Sequence, residues 1–573
     1  MFLGFCIKFT GTILDLALPW ILAHMIDDVV PSGDRDLIYF WGAVMVICAV
    51  VAVVTNILAN RMASAVARDV TRHIRHDLFK KITSLSCRQL DEATISSLIS
   101  RLTSDTYYVN RILGSMQRMG VRGPILLLGG VIVTTFLDFR LSLVLLCTLP
   151  FIAFSVFFIS RKGIPLFTKA QQSGDILVQG VRDSIIGIRV IKALSREGYE
   201  KDRFERINED QMKKARRASN VMALTNPLMN LFLNTGLVAV IVAGAYFVHA
   251  GFTAEGKIIA FLTYFTLILN AMLTVNRIFV MLSQGSVSAN RIGDILDLPD
   301  AEALDSPVNT ISSESNQVPP PMKKIIPVKT SPHISFKHVH FSYNKEREVL
   351  SDIHFDIQPG QSLGIIGPTG SGKSTMIQIL QRFYPVDNGQ ICIHNVDVST
   401  IPADLLHTMF GVVFQSDAFF ADTIYENIDF GRDLPEDQIH LAVKCAQAAD
   451  FIQELPDGYQ HLLTGKATNL SGGQRQRILI ARALAGNPEI LILDDSSSAL
   501  DYRTDAKMRT SIGKNYPETT MIVIAQRVSA VRKADQILVL EEGKTAGYGT
   551  HKDLLKNCPI YEETYRIQTG KME

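Results

Sequence analysis

Residues Gly367-Pro368-Thr369-Gly370-Ser371-Gly372-Lys373-Ser374 satisfy the pattern G-x-x-x-x-G-K-[ST] in full. Glycines at these positions let successive backbone N–H groups close around phosphate oxygens, and a helix start adds its positive end. Lys373 brings a point charge to the outer phosphates, and the Ser374 hydroxyl is a hard oxygen ligand for magnesium. Residues 362–366 read as the strand that must precede such a loop, and a helical pattern follows from Thr375. Downstream, Ile490-Leu491-Ile492-Leu493 is a short apolar run bounded by polar residues, which reads as a buried parallel strand. It ends in Asp494, placed to hold the same magnesium through water. Between these elements Leu470-Ser471-Gly472-Gly473-Gln474 opens the helix-forming stretch 475–485 and makes a second anion site. One nucleotide has no use for two such sites on one chain, so the second must serve a neighbour's nucleotide.

The elements that carry this chemistry occupy the second half of 573 residues, a length that suits two or three domains. With 57 Lys and Arg against 56 Asp and Glu, nothing electrostatic favours nucleic acid as a partner. Cys6, Cys48, Cys87, Cys147, Cys392, Cys445 and Cys558 are scattered without a C-x-x-C pair. That argues against a disulfide framework or a zinc site and fits a reducing cytoplasm plus membrane.

The first half is a series of apolar stretches near 2–23, 37–58, 124–136, 141–160, 224–247 and 258–280. Each fits a membrane span of about 20 residues, and in lipid each must be a helix that satisfies its own backbone. The third is short, so it is expected to begin earlier, near Leu113. About ten Lys/Arg fall between spans two and three and about fourteen between spans four and five. The other connections hold roughly one each, such as Arg35, Arg140 and Lys257. A soluble helical bundle has no reason for this asymmetry; a membrane protein with both termini and the two long connections in the cytoplasm does. Those connections read as helices, and about 25 cytoplasmic residues would project nearly 40 Å.

The first span begins almost at Met1, but no basic segment precedes it and no small-residue cleavage site follows, so a signal peptide is not expected. Lys8 and Asp15 lie on one face of it, two turns apart. Two readings stay open: a functional pair at membrane depth, or a snorkelling Lys8 with an Asp15 bonded inside the bundle. On the first reading Asp15 faces a substrate cavity and favours cationic compounds. Asn230, Asn234, Tyr264, Asn270 and Asn276 are further polar candidates in spans five and six, of which half or more are expected to serve helix packing. Between 301 and 333 the composition turns to Ser, Pro, Asn and Lys, including Pro319-Pro320-Pro321, and reads as a flexible linker. The expected domains are therefore 1–300, 301–333 and 334–573.

Taken together these residues resemble an ABC exporter subunit, a membrane half fused to an ATPase half, over nearly the full chain. Residues 470–474 match the family's signature, Gln415 its Q-loop, and Tyr343 the aromatic that stacks on adenine. Ser498, Ala499, Leu500 and Asp501 match its D-loop; 100–105 and 187–192 match patterns in its two intracellular loops. The resemblance implies a six-helix membrane bundle with long cytoplasmic extensions and an α/β P-loop NTPase domain of ABC type, in the cytoplasmic membrane. It also implies ATP and Mg2+ as cofactors, with Ser374, Gln415 and Asp494 about the metal. The partners implied are membrane lipid, a small-molecule cargo and a second ABC half. In the implied cycle two ATPs are sandwiched head to tail, each between one chain's phosphate loop and the other's signature. Relatives carry an amphipathic helix before the first span, so a truncated or misassigned start is expected.

The match fails in three places. Asp495 stands where the family has the glutamate that polarises the attacking water, and its carboxylate stops about 1–1.5 Å short, one carbon–carbon bond. Misplacement by about 1 Å costs around 100-fold, and loss of a general base about 100- to 10,000-fold, or roughly 3–5 kcal/mol of barrier. Gln526 replaces the switch histidine with a group that has no titratable proton. Thr464-Gly465-Lys466-Ala467 replaces a Gly-Glu-Arg-Gly loop, which puts the family's coupling contact in doubt at Gly465. The expectation is the degenerate-site subunit of a heterodimeric multidrug exporter, binding ATP at Lys373 and Asp494 while Ser471 and Gly473 complete the partner's site. The alternatives are a homodimer, an ATP-binding regulatory subunit, and a lipid or peptide exporter of the same architecture.

Overall fold

The computed structural model describes residues 2–300, 332–344, 347–416, 418–496 and 500–570. Most of the expected linker, with Pro319, Pro320 and Pro321, and the D-loop residues Ser498 and Ala499 lie outside the described residues. The chain divides into two compact units, one of Met1–Ser84 with Ala93–Leu298, the other of Leu85–Glu92 with Pro299–Glu573.

The first unit is all helix. Among the described residues six helices are long and apolar enough to cross a membrane. They contain the six apolar stretches read from the sequence. Their ends are set by local chemistry: the Asp34 carboxylate accepts from the amides of Asp36 and Leu37 and starts helix Arg35–Thr83. Asp138 does the same for helix Phe139–Ile186 through the amides of Arg140 and Leu141. At 49 residues, helix Arg35–Thr83 is about 74 Å long, more than twice the hydrocarbon thickness, so it extends far beyond the bilayer. The third span starts before its apolar run, as expected: helix Thr106–Ser115 passes through a π-helical turn, Met116–Gly120, into helix Val121–Leu137.

Polar side chains mostly hold the bundle together. Tyr264 is wholly buried and donates its hydroxyl to the Leu16 carbonyl, which makes it a packing residue. Asp105 is buried, accepts from the Ser288 hydroxyl at 2.8 Å and pairs with Arg291 at 3.4 Å, tying the start of helix Thr106–Ser115 to helix Glu255–Leu296. The side chain of Asn276 is outside the described residues.

The second unit is α/β. Strands β1 (Ile334–Phe341), β2 (Leu350–Ile357), β4 (Asn388–Ile393) and β5 (Val396–Asp397) form an antiparallel sheet in the order β2-β1-β4-β5. The other sheet contains β3 (Ser362–Ile366), β6 (Phe410–Val413), β7 (Ile490–Asp494), β8 (Thr520–Ile524), β9 (Gln536–Glu541) and β10 (Lys544–Gly549), in the order β10-β9-β3-β8-β7-β6. It is parallel apart from β10, and β7 is buried along its length, as its unbroken apolar run requires.

Candidate functional site

In a parallel sheet the ligand crevice lies beyond the carboxyl ends of the strands. Here β3 delivers Gly367, β6 leads to Gln415, β7 ends in Asp494 and β8 ends just before Ala525 and Gln526. These ends surround a cavity of about 310 Å³. Thr369, Gly370, Gly372, Lys373, Ser374 and Thr375 line it from the loop and first helical turn; Gln415, Asp494, Asp495 and Gln526 close it from the other strands. Gly367 and Ser371 stand behind that wall. A Cβ on Gly367 would lie 2.2 Å from the Leu540 carbonyl of β9, so only glycine lets the loop leave β3 here. Gly372, at φ +95°, turns the loop into helix Lys373–Leu380.

The polar groups are arranged for a charged guest. The Ser374 hydroxyl donates to Asp494 Oδ2 at 3.0 Å. Lys373 donates to the Gly367 and Pro368 carbonyls at 2.9 and 2.7 Å, folded back on its own loop. Burial pulls the Lys373 ammonium below its ordinary pKa, against Asp494 and Asp495, which hold it up. Burial pushes the Asp494 carboxyl up; the Ser374 hydrogen bond opposes this, and the neighbouring Asp495 adds to it. The Ser371 hydroxyl oxygen, behind that wall, is buried without a partner among the described residues. Ser374 and Asp494 form the oxygen donor set that Mg2+ prefers, with Gln415 on the same wall, and the metal would neutralise phosphate charge there. Asp495 sits at φ +49°, a left-handed conformation that aspartate tolerates, and its amide donates to Ile524 O at 3.0 Å.

The second anion site is built differently. Ser471 caps helix Gly472–Ala485 in a reciprocal box: its Oγ accepts from the Gln474 amide, and Gln474 Oε1 accepts from the Ser471 amide. Ser471 and Gly472 are exposed, Leu470 is buried, and none of residues 470–474 lines the 310 Å³ cavity. On the same helix half-buried Arg482 donates to the carbonyls of Asn427 and Ala418 and to Asn427 Oδ1. Burial brings its guanidinium down to about 10.

Residues 1–272 match the family model of the ABC transporter transmembrane region, and residues 350–498 that of the ABC transporter. The ABC transporter ATP-binding protein YfiB of Bacillus subtilis (strain 168) is 34% identical over 564 residues, 98% of this chain and 95% of that protein. An ABC transporter ATP-binding protein of Mycobacterium tuberculosis (strain CDC 1551 / Oshkosh) is 33% identical over 569 residues, 97% of this chain and 94% of that one. This chain belongs to the ABC transporter family. The solved structure of a bacterial Atm1-family ABC exporter with ATP bound shares the fold, with a TM-score of 0.81 over 99% of this chain and 97% of that one, at 24% identity. The ABC transporter is thus a multi-pass membrane protein whose second unit binds ATP.

Other residues singled out in the sequence lie elsewhere in the ABC transporter. Tyr343 is outside the cavity wall; its hydroxyl donates to Gln378 Oε1 and Thr375 Oγ1, and its ring meets Phe341 and Tyr384 edge-on. Asp501 caps helix Tyr502–Asn515 by accepting from the Thr504 amide at 2.9 Å, and Leu500 is half-buried. Gly465 opens a 3₁₀ turn in which Lys466 is left-handed. In the membrane unit Asp15 pairs with Arg122 at 3.1 Å, while Asn230 and Asn234 are exposed and Asn270 lines a polar cavity. Another cavity of that unit, about 860 Å³, is walled by apolar residues such as Phe9, Trp20, Leu128 and Phe136.

Three features escaped the sequence reading. Asp91 accepts from the Tyr384 hydroxyl inside the second unit, joining its short Leu85–Glu92 segment to the ATP-binding body. His333, His394 and Glu489 cluster at the edge of the same unit, with the two rings stacked at 4.4 Å. Each contact spans 95 residues or more, except for the histidine pair at the ends of two neighbouring strands, so no local pattern signals it. The third is the Arg118–Arg122 repeat at the foot of the third span, whose four-residue spacing was visible.

Proposed function

We propose that this chain is one half of an ATP-driven exporter of small, amphipathic or drug-like compounds in the cytoplasmic membrane, with both termini in the cytoplasm. Its own phosphate loop, with Lys373, Ser374 and Asp494, holds Mg-ATP and turns it over slowly. Its signature, Ser471 to Gln474, completes the faster site of a different ABC half. One observation carries this reading: the two altered residues, Asp495 and Gln526, share a single cavity wall with Lys373, Ser374 and Asp494. The alterations therefore fall on one nucleotide, while the exposed Ser471 cap remains free of them.

The chemistry follows from the side chains. Lys373 and the loop amides offset triphosphate charge in both ground and transition states, which supports binding. Acceleration requires a base within reach of the attacking water, and Asp495 is one methylene short of that reach. Gln526 can donate a hydrogen bond to the outer phosphate and cannot exchange a proton with it. The head-to-tail pairing then places Ser471 and the Gly473 amide against the partner's nucleotide.

The test is affinity purification of the tagged chain from its host membrane, followed by photolabelling with 8-azido-ATP under turnover conditions. A second, different ABC half is expected to co-purify in equal amount, with label persisting on this chain. Recovery of this chain alone, paired with itself, contradicts the heterodimer.

A further inference from the structure

A cavity of about 440 Å³ in the membrane unit is lined by Lys8, Arg118 and Arg122, with Asn60 and Asn270 also on its wall. Lys8 is only 3% exposed, and its ammonium donates to two neutral amides, Asn56 Oδ1 at 2.8 Å and Asn60 Oδ1 at 3.2 Å. Among the described residues, that leaves one of its three protons without a partner. Arg118 makes a single 3.4 Å bond to the Ser64 hydroxyl. Arg122 is paired with Asp15 at 3.1 Å, so that carboxylate is already compensated, and among the described residues no carboxylate lines the cavity. Among the described residues neither Lys8 nor Arg118 has a carboxylate within ion-pair distance. Two positive charges are therefore in surplus on one wall.

Cations at membrane depth are costly and persist where an anion or water meets them. Arg118 and Arg122 lie at the foot of the apolar run of helix Val121–Leu137. Leu126, Leu267 and Ala271 supply an apolar wall beside them, and the volume lies in the range of small-ligand pockets. A basic foot under an apolar wall matches a molecule with an acidic end on an apolar body. It does not match a cation: the surplus charge repels one, and Asp15 is occupied.

We propose that this cavity takes the acidic end, a carboxylate, sulfate or phosphate ester, of an amphiphilic cargo. The word cargo rests on the export reading above; the site itself does not. The test uses the full chain in its native assembly in nanodiscs of neutral phosphatidylcholine, without nucleotide, so that slow or absent export cannot mimic loss of the site. Calorimetric titration compares dodecyl phosphate, dodecyltrimethylammonium and inorganic phosphate. Dodecyl phosphate is expected to bind about tenfold or more tighter than the ammonium analogue. Lys8→Gln with Arg118→Gln should lose about tenfold or more of that affinity, whereas Lys8→Arg with Arg118→Lys should keep it. Equal affinity for the two amphiphiles overturns the proposal, as does unchanged binding in the glutamine pair or equal loss in both pairs. Displacement of dodecyl phosphate by an equal concentration of inorganic phosphate overturns the amphiphile assignment, since the apolar body would then contribute nothing.

Discussion

The Ser374 hydroxyl and the Asp494 carboxylate are 3.0 Å apart, joining the first turn after the phosphate loop to the last residue of β7. The contact spans 120 residues of sequence, and the adjacency of β3, β8 and β7 produces it. A buried carboxylate with a raised pKa is a burden to the empty protein and an asset once a cation arrives.

That burden gives the first prediction. The folded pKa of Asp494 lies above its unfolded value, so at neutral pH its charge opposes folding and the penalty is relieved as pH falls. Asp494→Asn is expected to raise the thermal midpoint of the nucleotide-free protein at pH 7 while abolishing Mg-dependent nucleotide binding. Scanning calorimetry and trinitrophenyl-ATP fluorescence, each with and without EDTA, check the two halves.

Gly367→Ala should act in the opposite direction on stability. Its Cβ would meet the Leu540 carbonyl at 2.2 Å and the Ser371 hydroxyl at 2.8 Å, and backbone on the far side cannot rotate away. A loss on the order of 1–3 kcal/mol is expected, with nucleotide binding lost as the loop shifts. Urea denaturation of the variant should show a lower midpoint, and an unchanged one would refute the packing argument.

Tyr384→Phe removes the hydrogen bond that Asp91 of the Leu85–Glu92 segment accepts from the body of the second unit. Asp91 is exposed, so water takes over its free oxygen and the loss is about 0.5–1.5 kcal/mol. In the exporter reading this segment relays nucleotide state to the spans, so ATP-driven transport should fall while ATP affinity stays. Vesicle uptake and nucleotide titration on one preparation separate the two.

Glu489 is held down to about 2 by His333, 3.8 Å away, and by a 3.0 Å hydrogen bond with His394, against the opposing effect of burial. A folded pKa below the unfolded value of about 4.3 stabilises the fold above that pH and is lost as pH falls from about 5 toward 2. Its side chain is 53% exposed, so solvent screening keeps the contribution modest. Glu489→Gln should lower the thermal midpoint slightly at pH 7, and the gap from the parent should narrow below about pH 4 and close near pH 2.

What the sequence made legible was local. The phosphate loop is eight consecutive residues, and six spans announce themselves by hydropathy because lipid forces each helix to be self-sufficient. Ser471 could be read as a cap from its spacing to Gln474. Asp15 illustrates what was hidden: its charge was visible, but its partner Arg122 comes from another helix. Tyr264 likewise read as a cavity candidate, and its bond to the Leu16 carbonyl makes it a packing residue.

The most direct measurement is steady-state ATP hydrolysis by the purified chain, self-associated in nanodiscs, beside Asp495→Glu combined with Gln526→His. The parent is expected to bind ATP with little turnover, and the double variant to hydrolyse it about 100-fold faster or more, since a base and a titratable donor regain their reach. A parent that turns over ATP as fast as the double variant would contradict the account.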